Sequence, residues 1–497
     1  MQAKNSNINT FSIQREETST QASQSERNSE INKNIIKDKV NFKWLLKSCI
    51  EEALSFFLEW VPSTITLIFI KNNYPQNIIN GFGLGLVWSN CIGQGLYYGL
   101  SSGLETMASH EHGAGNYNQV GILFQKTLYI SFLMFIPISL SMYFSENIIS
   151  LWNRDIYLSY IAGQYCIYQI PGIFFTAIYY AYKATLNAQN EYRIQVYSSG
   201  SNLILTILYC YIFISKLDLG IYGASIVFSS CQISNLLLCY LFAKQKKDLQ
   251  KCFIPFNSKC FNDISYFLKT AIPIGSLVAL EWMLQEANSI IASNLPSQQY
   301  AAHIILANLI CVCNQFPLGY ATASCTFISN EMGKGNIHNA NKYAQYSFII
   351  ITFHLMLTLL PVYLLQNQIA DIFAVDDNVK QSIILIFNIF IIQYCFDCFQ
   401  CMLTAYMRAI AQERFSSASF IFCYAFVGLG LSYFLAYYTS FQIQGIWIGI
   451  TIGLGLYVVM QIVKLQITDL KEMAQIIYER ICSQQNNQYK LMNDDNY

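Results

Sequence analysis

The sequence predicts an all-α membrane protein: twelve transmembrane helices in two six-helix bundles, related by a pseudo-two-fold axis normal to the membrane. Three observations carry that expectation. The 497 residues are 54% hydrophobic and only 12% charged, against roughly 25% charged in soluble domains, so lipid must solvate much of the surface. Twelve apolar segments follow one another with short breaks, and only one connector is both long and polar. The two halves also repeat each other at a nearly constant spacing.

The segments lie near 45–71, 78–106, 119–144, 156–182, 192–215, 219–243, 266–295, 299–328, 342–365, 379–407, 413–437 and 442–467. Most exceed the roughly 20 residues a straight span needs, which implies tilt or protrusion. The polar connector Lys244–Ser265 divides them six and six. The expected organisation is a disordered tail at 1–43, a first lobe at 44–243, a linker at 244–265, a second lobe at 266–467 and a second tail at 468–497. The first tail is rich in Ser, Asn, Gln and Glu and poor in aromatics. It has no apolar core of a signal peptide, so the first span is expected to do the targeting.

Orientation follows from the basic residues. With the N-terminus inside, Lys71, Arg154, Lys216 and Lys380 fall outside and the other 25 of the 29 Lys and Arg fall inside, Lys183 and Arg193 sharing one inner segment. Both termini are therefore expected in the cytosol, with the chain in the plasma membrane or a vacuolar or vesicular one.

The repeat is read directly. Leu58-Glu59-Trp60 returns as Leu280-Glu281-Trp282, Pro137 as Pro361, and Gly223 as Gly445; His110-Glu-His-Gly-Ala-Gly-Asn116 returns as Asn330-Glu-Met-Gly-Lys-Gly-Asn336. Each copy holds an even number of spans, so both insert the same way up, and the cleft between the bundles is the natural binding site.

A net charge of zero speaks against a nucleic-acid partner. No nucleophile–base pair or nucleotide fingerprint stands out, so no enzyme activity and no cofactor are expected. The Cys395, Cys398 and Cys401 series sits in an apolar helix with no fourth ligand near, so it reads as packing and no metal site is expected. The glycine stripes Gly95/Gly99/Gly103 and Gly445/Gly449/Gly453 read as close helix packing, and a monomer is expected. Six of nine prolines (Pro62, Pro137, Pro171, Pro273, Pro317 and Pro361) lie in or near apolar segments and are read as structural kinks. The two glycine-bearing turns read as cytosolic helix connections, with His110 and His112 as surface residues.

The remaining candidates are acids and amides at membrane depth: Glu59 in span 1, Glu281, Gln285 and Glu286 in span 7, Asn308 in span 8 and Asp397 in span 10. A charge there is costly unless paired, hydrated or protonated. Glu281 and Gln285 share a helix face, whereas Glu286 lies about 140° around from Glu281. Measured from the cytosolic end, Glu281 and Asp397 both fall roughly 15–20 Å deep. They are expected to meet in the second bundle and to exchange a proton or a sodium ion.

These residues resemble the multidrug and toxic compound extrusion (MATE) family over about residues 45–467. The marks are Gly103-Leu-Glu-Thr106 running into His112-Gly-Ala-Gly-Asn116, Tyr168-Gln-Ile-Pro171, and Leu186-Asn-Ala-Gln189. In the second half they are Leu280-Glu-Trp282 with Glu286, Phe316-Pro-Leu-Gly319, Arg408 with Gln412, and Gln444-Gly-Ile-Trp-Ile-Gly449. The resemblance implies a two-lobed antiporter that exports organic cations or other xenobiotics, driven by inward H⁺ or Na⁺. On that pattern Glu281, Glu286 and Asp397 fall at the acidic coupling and substrate positions and Asn308 at a further family position; Trp282 and Gln285 beside them complete the candidate set, with Glu59 and Gln169 as first-lobe candidates. Met283 and Gln285 stand where the family usually carries aromatics, which bears on substrate preference. The alternatives are a lipid-linked oligosaccharide flippase, for which few basic residues lie in the spans, and a sodium-coupled exporter. A scaffold or receptor is disfavoured by the buried acids, and a channel by the lack of a repeated polar ring.

Overall fold

The computed structural model describes residues 40–151, 155–374 and 377–494, without the side chains of Trp282 and of 483–494. Most of the first tail, and Arg154 among the outer basic residues, lie outside the described residues.

The first bundle comprises α1 (Phe42–Asn73), α2 (76–113), α3 (Tyr117–Tyr143), α4 (Ile156–Ala188), α5 (Arg193–Lys216) and α6 (Gly220–Lys244). The second comprises α7 (Ile264–Ser293), α8 (Ser297–Gly333), α9 (Ile337–Leu364), α10 (Asp377–Ala409), α11 (Glu413–Tyr438) and α12 (Ile443–Ile467). Ten of the twelve are long and apolar enough to cross a membrane by composition alone. The other two are α2, split by a π segment at Ser89–Gln94, and α4, whose seven tyrosines dilute its hydropathy. A further helix, α13 (Leu470–Asp494), follows, so the second tail is helical through Asp494.

All six prolines lie inside helices and none ends one. The irregular places are instead the π segments in α2, in α5 at Tyr211–Lys216 and in α11 at Ile421–Gly428. The repeat is written into the backbone as well. Left-handed residues occur in pairs at its spacing: Gly115 with Gly335, Asn190 with Ala411, and Gly220 with Gln442. The short helices Ser145–Ser150 and Gln366–Phe373 match in the same way.

The connector is not a loose tether. Its short 3-10 helices dock on the first bundle: Gln125 donates to the carbonyls of Ile254 and Pro255 at 3.0 and 2.9 Å, and Phe253 stacks on Tyr182. Cys252 is buried there, and burial pushes its thiol up to about 12.

The bundles meet along α1, α2, α7 and α8, at the end where the α2–α3 and α8–α9 turns lie. The joint obeys the pseudo-symmetry. A Cβ on Gly113 would lie 2.0 Å from the Asn330 carbonyl oxygen, and one on Gly333 would lie 2.0 Å from that of His110. Only hydrogen fits at either place. Thr326 donates to Glu105 at 3.0 Å while its repeat mate Thr106 meets Cys325 at 3.9 Å. His110 and His112 are therefore joint residues, correcting their reading as surface turn residues. His110 Nε2 lies 2.9 Å from the Ala409 carbonyl, and His112 Nδ1 lies 2.8 Å from Asn330 Oδ1. The first glycine stripe packs across this joint, Gly99 on Gly275 and Gly103 on Ala271. The second packs within its own bundle, Gly449 on Ser432 and Gly453 on Gly428. Among the described residues no His, Cys, Asp and Glu groups are placed to hold a metal ion.

Candidate functional site

The second bundle brings Glu281 and Asp397 together. Glu281 is partly buried on α7, and Asp397 is buried on α10 one turn before the buried Gln400. Gln400 hydrogen-bonds the Glu281 carboxyl, which lies within electrostatic reach of Asp397. Asn314 on α8 donates its Nδ2 to Asp397 Oδ2 at 2.5 Å, and Asn314 Oδ1 is buried without a partner. Tyr424 on α11 closes the group beside both acids. Among the described residues no Lys or Arg side chain acts on either acid. Two carboxyls sharing a low-dielectric pocket repel when both are ionised, so the pair favours binding one proton or one small cation.

Asn308 does not join this cluster. It is exposed and donates back to the Ile304 carbonyl of its own helix at 2.8 Å. Six residues on, at 240° of helical rotation, Asn314 holds the position beside Asp397. Both asparagines were visible in the sequence; only the register of α8 against α10 chooses between them. Glu286 stands apart, partly buried near Cys311 and near Cys91 on α2 of the other bundle. Gln285 Oε1 accepts from Cys311 Sγ at 3.7 Å. The Trp282 side chain lies outside the described residues.

The first bundle treats the repeat mate of Glu281 in the opposite way. Glu59 Oε1 accepts from Tyr179 at 2.7 Å, Lys183 at 2.8 Å, Ser55 at 3.0 Å and Ser199 at 3.4 Å. Lys183 also lies 3.5 Å from Glu52 Oε1, which Asn187 meets at 3.1 Å. Lys183 is thus buried inside α4 and is not the inner-segment lysine that the charge pattern implied. The predicted span stopped at residue 182, one short of it; the helix runs on to Ala188. Three hydroxyls and one ammonium thus converge on Glu59 Oε1. Gln169 is fully buried, donates to the Tyr165 hydroxyl at 2.6 Å and touches neither acid. A polar cavity of about 60 Å³ beside Glu59 is lined by Gln94, Asn202 and Asn235 among others.

Arg408 joins the bundles at the closed end. From α10 its Nη2 reaches the Ser102 carbonyl and Thr106 Oγ1 on α2, both at 3.2 Å, beside Glu105. This bridge was not legible in the sequence, because its partners are a backbone carbonyl and a hydroxyl.

The MatE family model matches this chain twice, at residues 53–212 and 273–434. Protein DETOXIFICATION 9 of Arabidopsis thaliana is 23% identical over 390 residues, covering 78% of this chain and 81% of the relative. Multidrug and toxin extrusion protein 1 of Homo sapiens is 23% identical over 369 residues, covering 74% of this chain and 65% of the relative. Among solved structures, the eukaryotic MATE transporter AtDTX14 superposes with a TM-score of 0.84 at 22% identity, covering 88% of this chain and 98% of that one.

Proposed function

The chain belongs to the MatE family of efflux transporters, and from that premise we propose that it exports organic cations in exchange for protons by alternating access. The observation that supports proton exchange is the Glu281–Asp397 pair, a partly buried and a buried acid with amide partners and, among the described residues, no Lys or Arg in contact. Its repeat mate Glu59 is instead bound to Lys183. In the orientation expected from the basic residues, the closed joint at Gly113 and Gly333 faces the cytosol. The state described here is then outward-facing, and protonation of Glu281 or Asp397 from outside removes the negative charge that holds a cation. Loss of that attraction releases the substrate, and reclosure carries the proton inward.

Anionic carboxyls in a cleft with tyrosine faces suit cationic, partly aromatic substrates. Lys183, buried inside the first bundle, is engaged by Glu52 and Glu59, so it does not furnish the basic cleft a lipid-linked oligosaccharide flippase needs. The test is a proteoliposome assay that imposes H⁺ or Na⁺ gradients separately and follows a panel of fluorescent organic cations. Export driven by the proton gradient alone supports the reading; export driven only by sodium overturns it.

A further inference from the structure

Seven residues before Glu59, α1 carries an acid that this mechanism does not use. Glu52 is fully buried. α8 lies directly on it: a Cβ on Gly319 would stand 2.3 Å from the Ala53 Cα and 2.9 Å from the Glu52 carbonyl carbon. The donors nearby are shared unequally. Lys183 is 2.8 Å from Glu59 and 3.5 Å from Glu52, and three hydroxyls add to Glu59. Glu52 receives one amide, from Asn187, and its Oε2 is buried without a partner.

The other charged groups facing Glu52 are Glu59 on its own helix and Glu105 on α2; Cys49, Tyr192 and Cys239 are its neutral titratable neighbours. Three acids, Glu52, Glu59 and Glu105, thus face two cations, Lys183 and the Arg408 beside Glu105. One negative charge is in excess, and of the three acids Glu52 is the one with a carboxyl oxygen buried without a partner. The architecture does not demand an acid here: at the repeat spacing that matches Glu59 with Glu281, Glu52 falls opposite Ile274.

We propose that Glu52 is a second proton-carrying residue of the transporter, holding a proton on Oε2 while α8 covers it and releasing that proton when the bundles part at this end. The O–H bond breaks, the proton passes to water entering between α1 and α8, and the carboxylate left behind shares Lys183 with Glu59. This rests on the antiport reading; once the bundles have closed again at this end, a proton from the outer side re-forms the O–H bond on Oε2 by way of the polar cavity beside Glu59, so each cycle carries one proton inward besides that of Glu281 and Asp397.

The test uses the full chain in two measurements. In lipid nanodiscs at neutral pH, infrared spectra report the carbonyl stretch of protonated carboxyls. A Glu52→Gln variant, which keeps the size and the acceptor for Asn187, is expected to lose one such band. Glu59→Gln is expected to lose it too, because Lys183 then has Glu52 as its nearest carboxylate, a change that a purely packing role would not produce. An unchanged spectrum in Glu52→Gln overturns the proposal. In proteoliposomes, the gradient of tetraphenylphosphonium sustained by one pH unit reads the proton-to-substrate ratio. One proton fewer lowers that gradient about tenfold in Glu52→Gln; an unaltered gradient overturns the proposal. The infrared band needs no transport, so if the wild type moves no tetraphenylphosphonium the antiport reading fails, while the band still decides where the proton sits.

Discussion

Lys183→Met is the perturbation whose size the structure fixes best. It removes the only cation within 4 Å of Glu52 and Glu59 among the described residues and leaves a similar apolar stem against Phe56, over which the ammonium sits at 4.2 Å. Glu59 keeps its three hydroxyl donors, so the loss is mainly electrostatic. Removing one partner of a buried ion pair costs roughly 3–5 kcal/mol, because the other charge stays buried and uncompensated. The three residual hydroxyl donors place the expected cost near the lower end, about 3 kcal/mol. Thermal unfolding of the purified protein in detergent measures it. The double variant Lys183→Met with Glu59→Gln, which removes both charges, is expected to recover about 1–3 kcal/mol of that loss as a pairwise term. A single variant within about 0.5 kcal/mol of wild type, or a double variant no better than the single, refutes the assignment of a working ion pair.

Three other outcomes follow from the same contacts. Gly333→Ala forces a methyl against the His110 carbonyl, where 2.0 Å is available. It is expected to keep the bundles from closing at that end, so that a cysteine pair placed across the α2–α3 and α8–α9 turns cross-links in the parent and not in the variant. Arg408→Met removes the two 3.2 Å bonds from α10 to Ser102 and Thr106; it should cost about 1.5–3 kcal/mol of closed-state stability, read as faster cross-joint hydrogen exchange. Cys252 should resist maleimide in the folded protein and label only after unfolding. Its thiol, pushed up to about 12 by burial, stays protonated at any neutral or mildly alkaline pH, and labelling of the folded protein at pH 8 contradicts that.

The twelve spans were legible in the sequence because hydropathy and the inner–outer asymmetry of basic residues are local signals. The edges that shifted most are the ends of α2, α4 and α8, where polar residues such as His110, Lys183 and Asn330 continue a helix because the opposite bundle or a neighbouring helix satisfies them. The Glu281–Asp397 meeting was foreseeable from equal depth, but its amide partners were not: Asn314 and Gln400 are distinguished from Asn308 only by helix register. Glu52 is not among the candidates the sequence offers. Its burial arises from Gly319, more than 260 residues away in the chain, and no local pattern announces it. Lys183 was misread for the same reason, since a lysine next to a predicted span end is ordinarily a loop lysine.

The central claim is that the Glu281–Asp397 pair carries the coupling proton, and Glu281→Gln tests it most directly. The amide preserves the side-chain volume and the Gln400 contact but cannot exchange a proton. The account predicts that proteoliposomes bearing this variant, inserted in the membrane as fully as wild type, export tetraphenylphosphonium no faster under an imposed pH gradient than without one. Export that still follows the pH gradient at the wild-type rate contradicts it.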